Sequence, residues 1–121
     1  MIYGEFNDGF PRVALELPDS SSGLRTTDFI VDSGFEGDLT LPAEVVVTLD
    51  AVYAGEYPFT LADFTFRSRP VYRVLLDWMG EERDVAIVAM DGNALLGVGL
   101  LRGNLVQMEM DEGGEVIVGP L

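Results

Sequence analysis

Residues 29–42, FIVDSGFEGDLTLP, decide how the rest of this chain is interpreted. The apolar run at 29–31 predicts a short buried strand, and it ends directly on the carboxylate of Asp32. Ser33 and Gly34 come next, and Asp, Ser and Gly are all residues that form turns. The tripeptide alone therefore fits an ordinary surface turn as well as an aspartate held for chemistry at the end of a strand.

The residue types that are absent narrow the possible chemistry. The chain has no histidine, no cysteine and no lysine, so Ser-His and Cys-His catalysis, a lysine Schiff base and a P-loop lysine are all excluded. Disulfides and thiolate metal sites are excluded for the same reason. With 21 Asp and Glu residues, an enzyme built from this chain must use carboxylates, hydroxyls, backbone groups or a hard metal ion.

Length and charge limit the classes of protein to which the chain can belong. Residues 1–121 suit a single domain, and 48% hydrophobic residues are enough for a core. No apolar run approaches the roughly 20 residues that cross a bilayer, and the first residues do not read as a signal peptide, so we expect a soluble, cytoplasmic protein. A formal charge of −14 disfavours phosphate backbones and acidic lipid surfaces. We therefore expect neither nucleic acid nor membrane as a partner.

Most of the chain reads as short strands. Val13, Leu15 and Leu17 alternate with other residues at the period of a half-buried strand. Turn residues between apolar runs predict three hairpins, at 57–66, at 71–89 and at 105–118. Helix is predicted only at 43–49, after Pro42, and at 95–102. This pattern predicts an all-β barrel or sandwich with one or two short helices.

A catalytic role for Asp32 requires a second carboxylate. Two carboxylates within hydrogen-bond reach of one water share a proton, so that one acts as general base and the other as general acid. Only one Asp-Ser/Thr-Gly occurs in the chain, and Asp28, Asp38 and Asp91 lack its setting of strand, turn and glycine. Twofold symmetry would bring Asp32 of two copies together, so we expect the chain to be its own partner in a homodimer.

Two segments resemble the retropepsin-like aspartic proteases, especially their small single-domain prokaryotic members. In that family an apolar strand runs into Asp-Thr/Ser-Gly, and the later residues that match its pattern are Phe35, Gly37, Leu39, Leu41 and Pro42. Residues 94–102, ALLGVGLLR, resemble the apolar-apolar-Gly element that closes the loop around the catalytic aspartate. The resemblance extends from the first strand to Val118.

The resemblance implies a closed retropepsin-like (acid protease) β-barrel and an aspartic endopeptidase that needs no cofactor and no metal. It assigns water activation to Asp32, support of the aspartate pair to Ser33, and contact with substrate backbone to Gly34. A peptide or protein substrate would lie beneath a hairpin flap, in which Phe64 replaces the family's glycine. The residues expected to bind substrate are Phe35, Gly37, Leu61, Ala62 and Asp63.

Other interpretations stay open beside this one. The same barrel can serve as a non-catalytic dimerisation or peptide-binding module, since fold does not imply function. Two Asp32 carboxylates buried at a dimer axis would cost stability there, which favours catalysis. A calcium loop over 32–43 is disfavoured because its twelfth residue is Ala43 rather than Glu. Glu36 and Asp38 are interpreted as loop charges, and Gly97 as a packing residue.

Overall fold

A computed structural model describes all residues 1–121 and is predominantly β, with 60% strand and 7% helix. No helix in it has the length and apolar character needed to cross a membrane. The strands are β1 Ile2–Asn7, β2 Phe10–Pro18, β3 Leu24–Val31, β4 Leu39–Leu41, β5 Val52–Thr60, β6 Phe66–Trp78, β7 Glu81–Ala89, β8 Leu95–Leu96, β9 Asn104–Met108 and β10 Glu115–Pro120. The helices are α1 Ala43–Val46 and α2 Val98–Leu101.

The alternation of buried and exposed residues in β2 shows why this segment forms a strand. Val13, Leu15 and Leu17 are all buried, while Ala14 and Glu16 between them are exposed, as the period-two pattern predicts. The three expected hairpins are also confirmed, as β5–β6, β6–β7 and β9–β10. Local alternation and turn chemistry are therefore sufficient to form most of the antiparallel pairs.

The ten strands form one sheet in the order β5-β6-β7-β4-β8-β3-β2-β1-β10-β9. Two contacts in the middle are parallel, β3 with β8 and β4 with β7, and the others are antiparallel. The end strands β5 and β9 do not pair with each other, so the sheet is not closed by hydrogen bonds. No residue of β5 is buried, so this strand extends away from the core and its free edge meets no other strand. All-β is confirmed, whereas the predicted closed barrel is not.

The core lies where the sheet curves over on itself and β2 packs against β6. Residues 29–42 supply much of it, because Phe29 and Leu39 are completely buried and Val31 and Leu41 nearly so. Its other large members include Leu17, Trp78, Ile87, Leu96, Leu100 and Val118. The segments on either side of Asp32 are thus anchored in the centre of the domain.

Both helices are shorter than the sequence predicts. The first ends at Val46 rather than at residue 49, and Val46 is its buried contact with the core. The prediction of helix over 95–102 is wrong at its start, because Leu95 and Leu96 form β8. Gly97 has an extended backbone, with φ −104° and ψ −179°, so the helix begins only at Val98.

Candidate active site

Asp32 is the first residue after β3, and its backbone is held by the core. Its N–H donates to the Leu96 carbonyl at 2.9 Å, which continues the parallel pairing of β3 with β8. Leu96 is fully buried, whereas Asp32 is only half-buried. The strand therefore fixes the position of the residue and leaves its carboxylate at the surface.

The turn after β3 binds one oxygen of this carboxylate. Gly34 donates its N–H to Asp32 Oδ1 at 2.8 Å, and the Phe35 N–H donates to the Asp32 carbonyl at 3.2 Å. Asp32 Oδ2 and the hydroxyl of exposed Ser33 have no hydrogen-bond partner in the chain. A side chain at position 34 would begin 3.2 Å from Asp32 Oδ1, so glycine keeps this approach open. The arrangement orients the carboxylate and leaves one oxygen for an external partner.

The loop after the turn is bonded to the segment that enters α2. Three successive N–H groups of residues 97–99 donate to the carbonyls of Asp38, Phe35 and Gly37, at 2.8, 2.8 and 3.0 Å respectively. This ladder joins two parts of the chain that are some 60 residues apart in sequence. It fixes the loop to the residues that directly follow Leu96, whose carbonyl holds Asp32.

Gly97 allows the two segments to approach this closely. A Cβ at position 97 would overlap the Gly37 carbonyl oxygen and lie 2.6 Å from the Phe35 carbonyl oxygen. The interpretation of Gly97 as a packing residue is therefore confirmed. The Phe35 ring also lies over Gly37, where a Cβ would come within 2.6 Å of Phe35 Cζ. Phe35 and Gly37 thus shape the loop, and their contact with substrate stays a prediction.

Two polar residues near the site have roles that local sequence patterns did not reveal. Half-buried Asp38 accepts the Ala86 N–H at 3.0 Å through Oδ2, and a Cβ at Gly99 would overlap its other oxygen. The interpretation of Asp38 as a loop charge is wrong, because this carboxylate links the loop to β7. Thr40 is 2% exposed, and its hydroxyl accepts the Leu95 N–H at 2.9 Å. The position of Thr40 between two apolar residues, Leu39 and Leu41, was the sequence signal that could have indicated a buried, hydrogen-bonded hydroxyl.

The β5–β6 hairpin ends in the turn that was predicted to carry the flap residues. Leu61, Ala62 and Asp63 are all exposed there. Asp63 Oδ1 accepts the hydroxyl and the N–H of Thr65 at 2.6 and 3.0 Å, and these two hydrogen bonds lower the pKa of Asp63. The Asp63 carboxylate therefore stabilises its own turn.

Within one chain neither a hydrogen bond nor a main cavity joins the two halves of the predicted site. No hydrogen bond joins the turn at 61–65 to the loop at 32–38. The five main cavities are lined neither by the residues at 32–34 nor by those at 61–63. No group of three or more acidic side chains is arranged to hold a metal ion.

Phe64 occupies a backbone conformation that favours glycine. Its φ is 65° and its side chain is 85% exposed, so the ring gains little burial in return for left-handed strain. That strain costs about 1–2 kcal/mol in a residue with a Cβ. We expect Phe64→Gly to stabilise the turn by about 0.5–1 kcal/mol after the extra chain entropy of glycine is subtracted. Slower exchange of the Leu61 amide, which donates to the Thr65 carbonyl, measures this gain.

A matched control for this change is Phe66→Gly, because Phe66 is 77% exposed and lies in β6 with ordinary strand geometry. Glycine in a strand weakens it, so this variant should exchange faster than wild type. Faster exchange in Phe64→Gly as well would contradict the strain argument.

The stability of the same turn should depend on pH through Asp63. Because the pKa of Asp63 is lowered in the folded state, its stabilising effect is present above the ordinary value of 3.8 and is lost as pH falls through the lower folded value. We therefore expect the turn to become more mobile in acid, as measured by ¹⁵N relaxation of the Thr65 amide. Asp63→Asn should remove the pH dependence, and a profile unchanged by this substitution would exclude Asp63 as its source.

Comparisons with known proteins do not place the chain in a family. No protein-family model, no curated protein and no solved structure matches it significantly.

Proposed function

We propose that the chain is an aspartic endopeptidase that acts as a homodimer of closed retropepsin-like barrels, with Asp32 of both copies in one active site. The geometry of Asp32 supports this function. A core strand fixes its backbone, the Gly34 N–H binds one carboxylate oxygen, and the other oxygen has no partner in the chain. Asp63 also holds its own turn through one oxygen, but it lies in an exposed hairpin, whereas the backbone of Asp32 is bonded to fully buried Leu96.

The chemistry depends on placing two such carboxylates at hydrogen-bond distance. They share one proton and titrate as a coupled pair. The ionised Asp32 takes a proton from water, whose oxygen then attacks the carbonyl carbon of the peptide bond. The protonated Asp32 stabilises the developing oxyanion. The Asp32 that took the proton from water then gives it to the leaving amide nitrogen as the C–N bond breaks, which restores the starting pair. Ser33, whose hydroxyl has no partner within the chain, supports the pair from beside it.

A second copy of the chain would supply the second carboxylate and the cleft that one chain lacks. A single chain contains one Asp-Ser-Gly turn, and this turn lines none of the main cavities. A twofold axis near Asp32 would create both the carboxylate pair and a cleft between the copies. The free edges of β5 and β9 leave unpaired backbone groups, which a closed and dimeric barrel would satisfy.

The β5–β6 hairpin is the part of the chain suited to cover such a cleft. Its turn and the adjacent strand expose Leu61, Phe64 and Phe66, at 40, 85 and 77% respectively. Apolar side chains exposed at the end of a hairpin are suited to closing over a substrate and excluding water. We expect the bonds that are cleaved to be flanked mainly by apolar residues.

Subunit mixing tests the shared active site. The wild-type chain is incubated with a mixed peptide library, and the products are identified by mass spectrometry. A roughly ninefold excess of Asp32→Asn chains should then lower the activity per wild-type chain about tenfold, because most wild-type chains acquire an inactive partner. Cleavage that is unaffected by the excess chains would rule out a site shared between two copies.

The alternative is a peptide-binding or dimerisation module without catalysis. The strained Phe64 at the end of the hairpin favours it, since a residue that resists the turn conformation can impair closure of a flap. Peptides that are bound by the dimer and remain intact at every pH would support this module and contradict the protease.

A further inference from the structure

Two arginines differ from all the others in the chain. Five of the seven guanidinium groups donate hydrogen bonds within the protein, those of Arg12, Arg25, Arg67, Arg69 and Arg73. The guanidinium groups of Arg83 and Arg102 donate none, and the one ion pair of the chain joins Arg73 to Asp84. These two free cations occur in a protein whose formal charge is −14.

Both free arginines line the same cavity, of about 440 Å³, between the β6–β7 turn and the segment linking α2 to β9. The charged side chains that line it are two guanidinium groups, those of Arg83 and Arg102, and one carboxylate, that of Glu81. In the other four main cavities carboxylates equal or outnumber the guanidinium groups. This cavity is therefore the one among the five whose lining carries a net positive charge.

The backbone holds the two arginines in place from different elements. Arg83 is half-buried in β7, directly opposite core residue Leu76. Arg102 directly follows α2, where the side-chain amide of Asn104 donates to the carbonyls of Leu100, Leu101 and Arg102, each at 3.3 Å. The fold thus brings two guanidinium groups without partners to one cavity, and guanidinium groups bind oxyanions well.

The wall of the cavity includes a further side chain with an unused donor. Trp78 lines it and is 3% exposed, and its indole Nε1 has no hydrogen-bond partner. Buried polar groups are nearly always paired, so an unpaired one requires an explanation. Thr27 Oγ1 is the only other unpaired buried side-chain atom of this kind.

We propose that this cavity binds a small ligand through an oxyanion, either a phosphate or a carboxylate group. Arg83 and Arg102 neutralise the oxyanion, and the cavity volume falls within the range of small-molecule sites, about 300–1,000 Å³. Glu81 at the same cavity opposes binding and limits affinity for highly charged anions. The site is separate from Asp32, and it does not depend on proteolysis.

Fluorescence of Trp78 tests the site directly, because it is the single tryptophan of the chain. The intact protein is titrated with inorganic phosphate and, separately, with succinate, against sodium chloride at matched ionic strength. We expect a saturable change with at least one of the two probes and none with chloride. Whichever probe binds more tightly identifies phosphate or carboxylate as the ligand group.

Variants assign the binding to the named residues. Arg83→Gln and Arg102→Gln should each weaken binding about tenfold, whereas Glu81→Gln should strengthen it. Arg67→Gln is the charge-matched control, since Arg67 lies outside the cavity, and it should change the affinity less than about twofold. Arg102 is exposed in a loop, so its variant tests the site even if Arg83→Gln does not fold. Equal responses to chloride and to both probes, or equal affinity in Arg102→Gln, would overturn the proposal.

Discussion

Asp32→Asn should lower the rate of peptide cleavage by about 1000-fold or more, and it should leave the fold intact. An amide at position 32 can still accept the Gly34 N–H, which binds the aspartate at 2.8 Å, so the turn has no reason to change. The amide cannot take a proton from water, and a pair of amides at the proposed dimer axis would have no acidic proton to share. Initial rates on a peptide cleaved by the wild type, from acid to neutral pH, measure the loss.

The matched control is Asp28→Asn, which removes the same charge four residues earlier in β3. Asp28 is exposed, and its side chain makes no hydrogen bond or ion pair in the chain. This variant should retain the wild-type rate to within about twofold. Equal rates in Asp32→Asn and the wild type would remove Asp32 from the mechanism.

Gly97→Ala is expected to lower the free energy of unfolding by about 3 kcal/mol. The added Cβ would overlap the Gly37 carbonyl oxygen and approach Phe35 Cδ2 to 2.5 Å. That carbonyl accepts the Gly99 N–H at 3.0 Å, so it cannot move away without loss of a hydrogen bond. Urea unfolding of the purified variant measures the change.

Gly23→Ala is the control, because a Cβ at position 23 would meet nothing within 4 Å and the backbone there needs no left-handed φ. Its unfolding free energy should stay within about 0.5 kcal/mol of the wild type. Similar values for the two alanine variants would show that the close packing of residues 97–99 on the Asp32 loop contributes little to stability.

Strands with local partners could be predicted from the sequence. In β2 the alternation of Val13, Leu15 and Leu17 was sufficient, and β6 and β7 are joined at Met79 and Gly80, inside the hairpin predicted at 71–89. Such pairs form between neighbours in sequence, so period and turn chemistry carry the information.

Contacts between distant segments could not be predicted in this way. The split of residues 95–102 into a strand and a helix depends on β8 pairing with β3, which is far away in the chain. The link from Asp38 to Ala86 is equally nonlocal, so a carboxylate in a polar loop looked like a solvated charge. Whether the sheet closes depends on what the free edges of β5 and β9 pair with, and no local sequence pattern specifies that partner.

For the candidate site too, the local features could be predicted from the sequence and the contacts between distant segments could not. The strand that leads into Asp32 and the turn at Gly34 can be inferred from residue types alone, and both are present. Whether the hairpin turn at 61–65 covers Asp32 could not be inferred from residue types, because no local pattern relates these two segments. The cavity of Arg83 and Arg102 was missed because the two residues come together only in three dimensions.

Isothermal titration with a statine-type mimic of the best-cleaved peptide can show whether two chains share one active site built from both Asp32 residues. The mimic replaces the attacked carbonyl with a hydroxyl that would bind between the two carboxylates. We predict saturation at one mimic for every two chains, and no binding to Asp32→Asn. One mimic per chain, or undiminished binding to Asp32→Asn, would exclude an active site shared between two Asp32 residues.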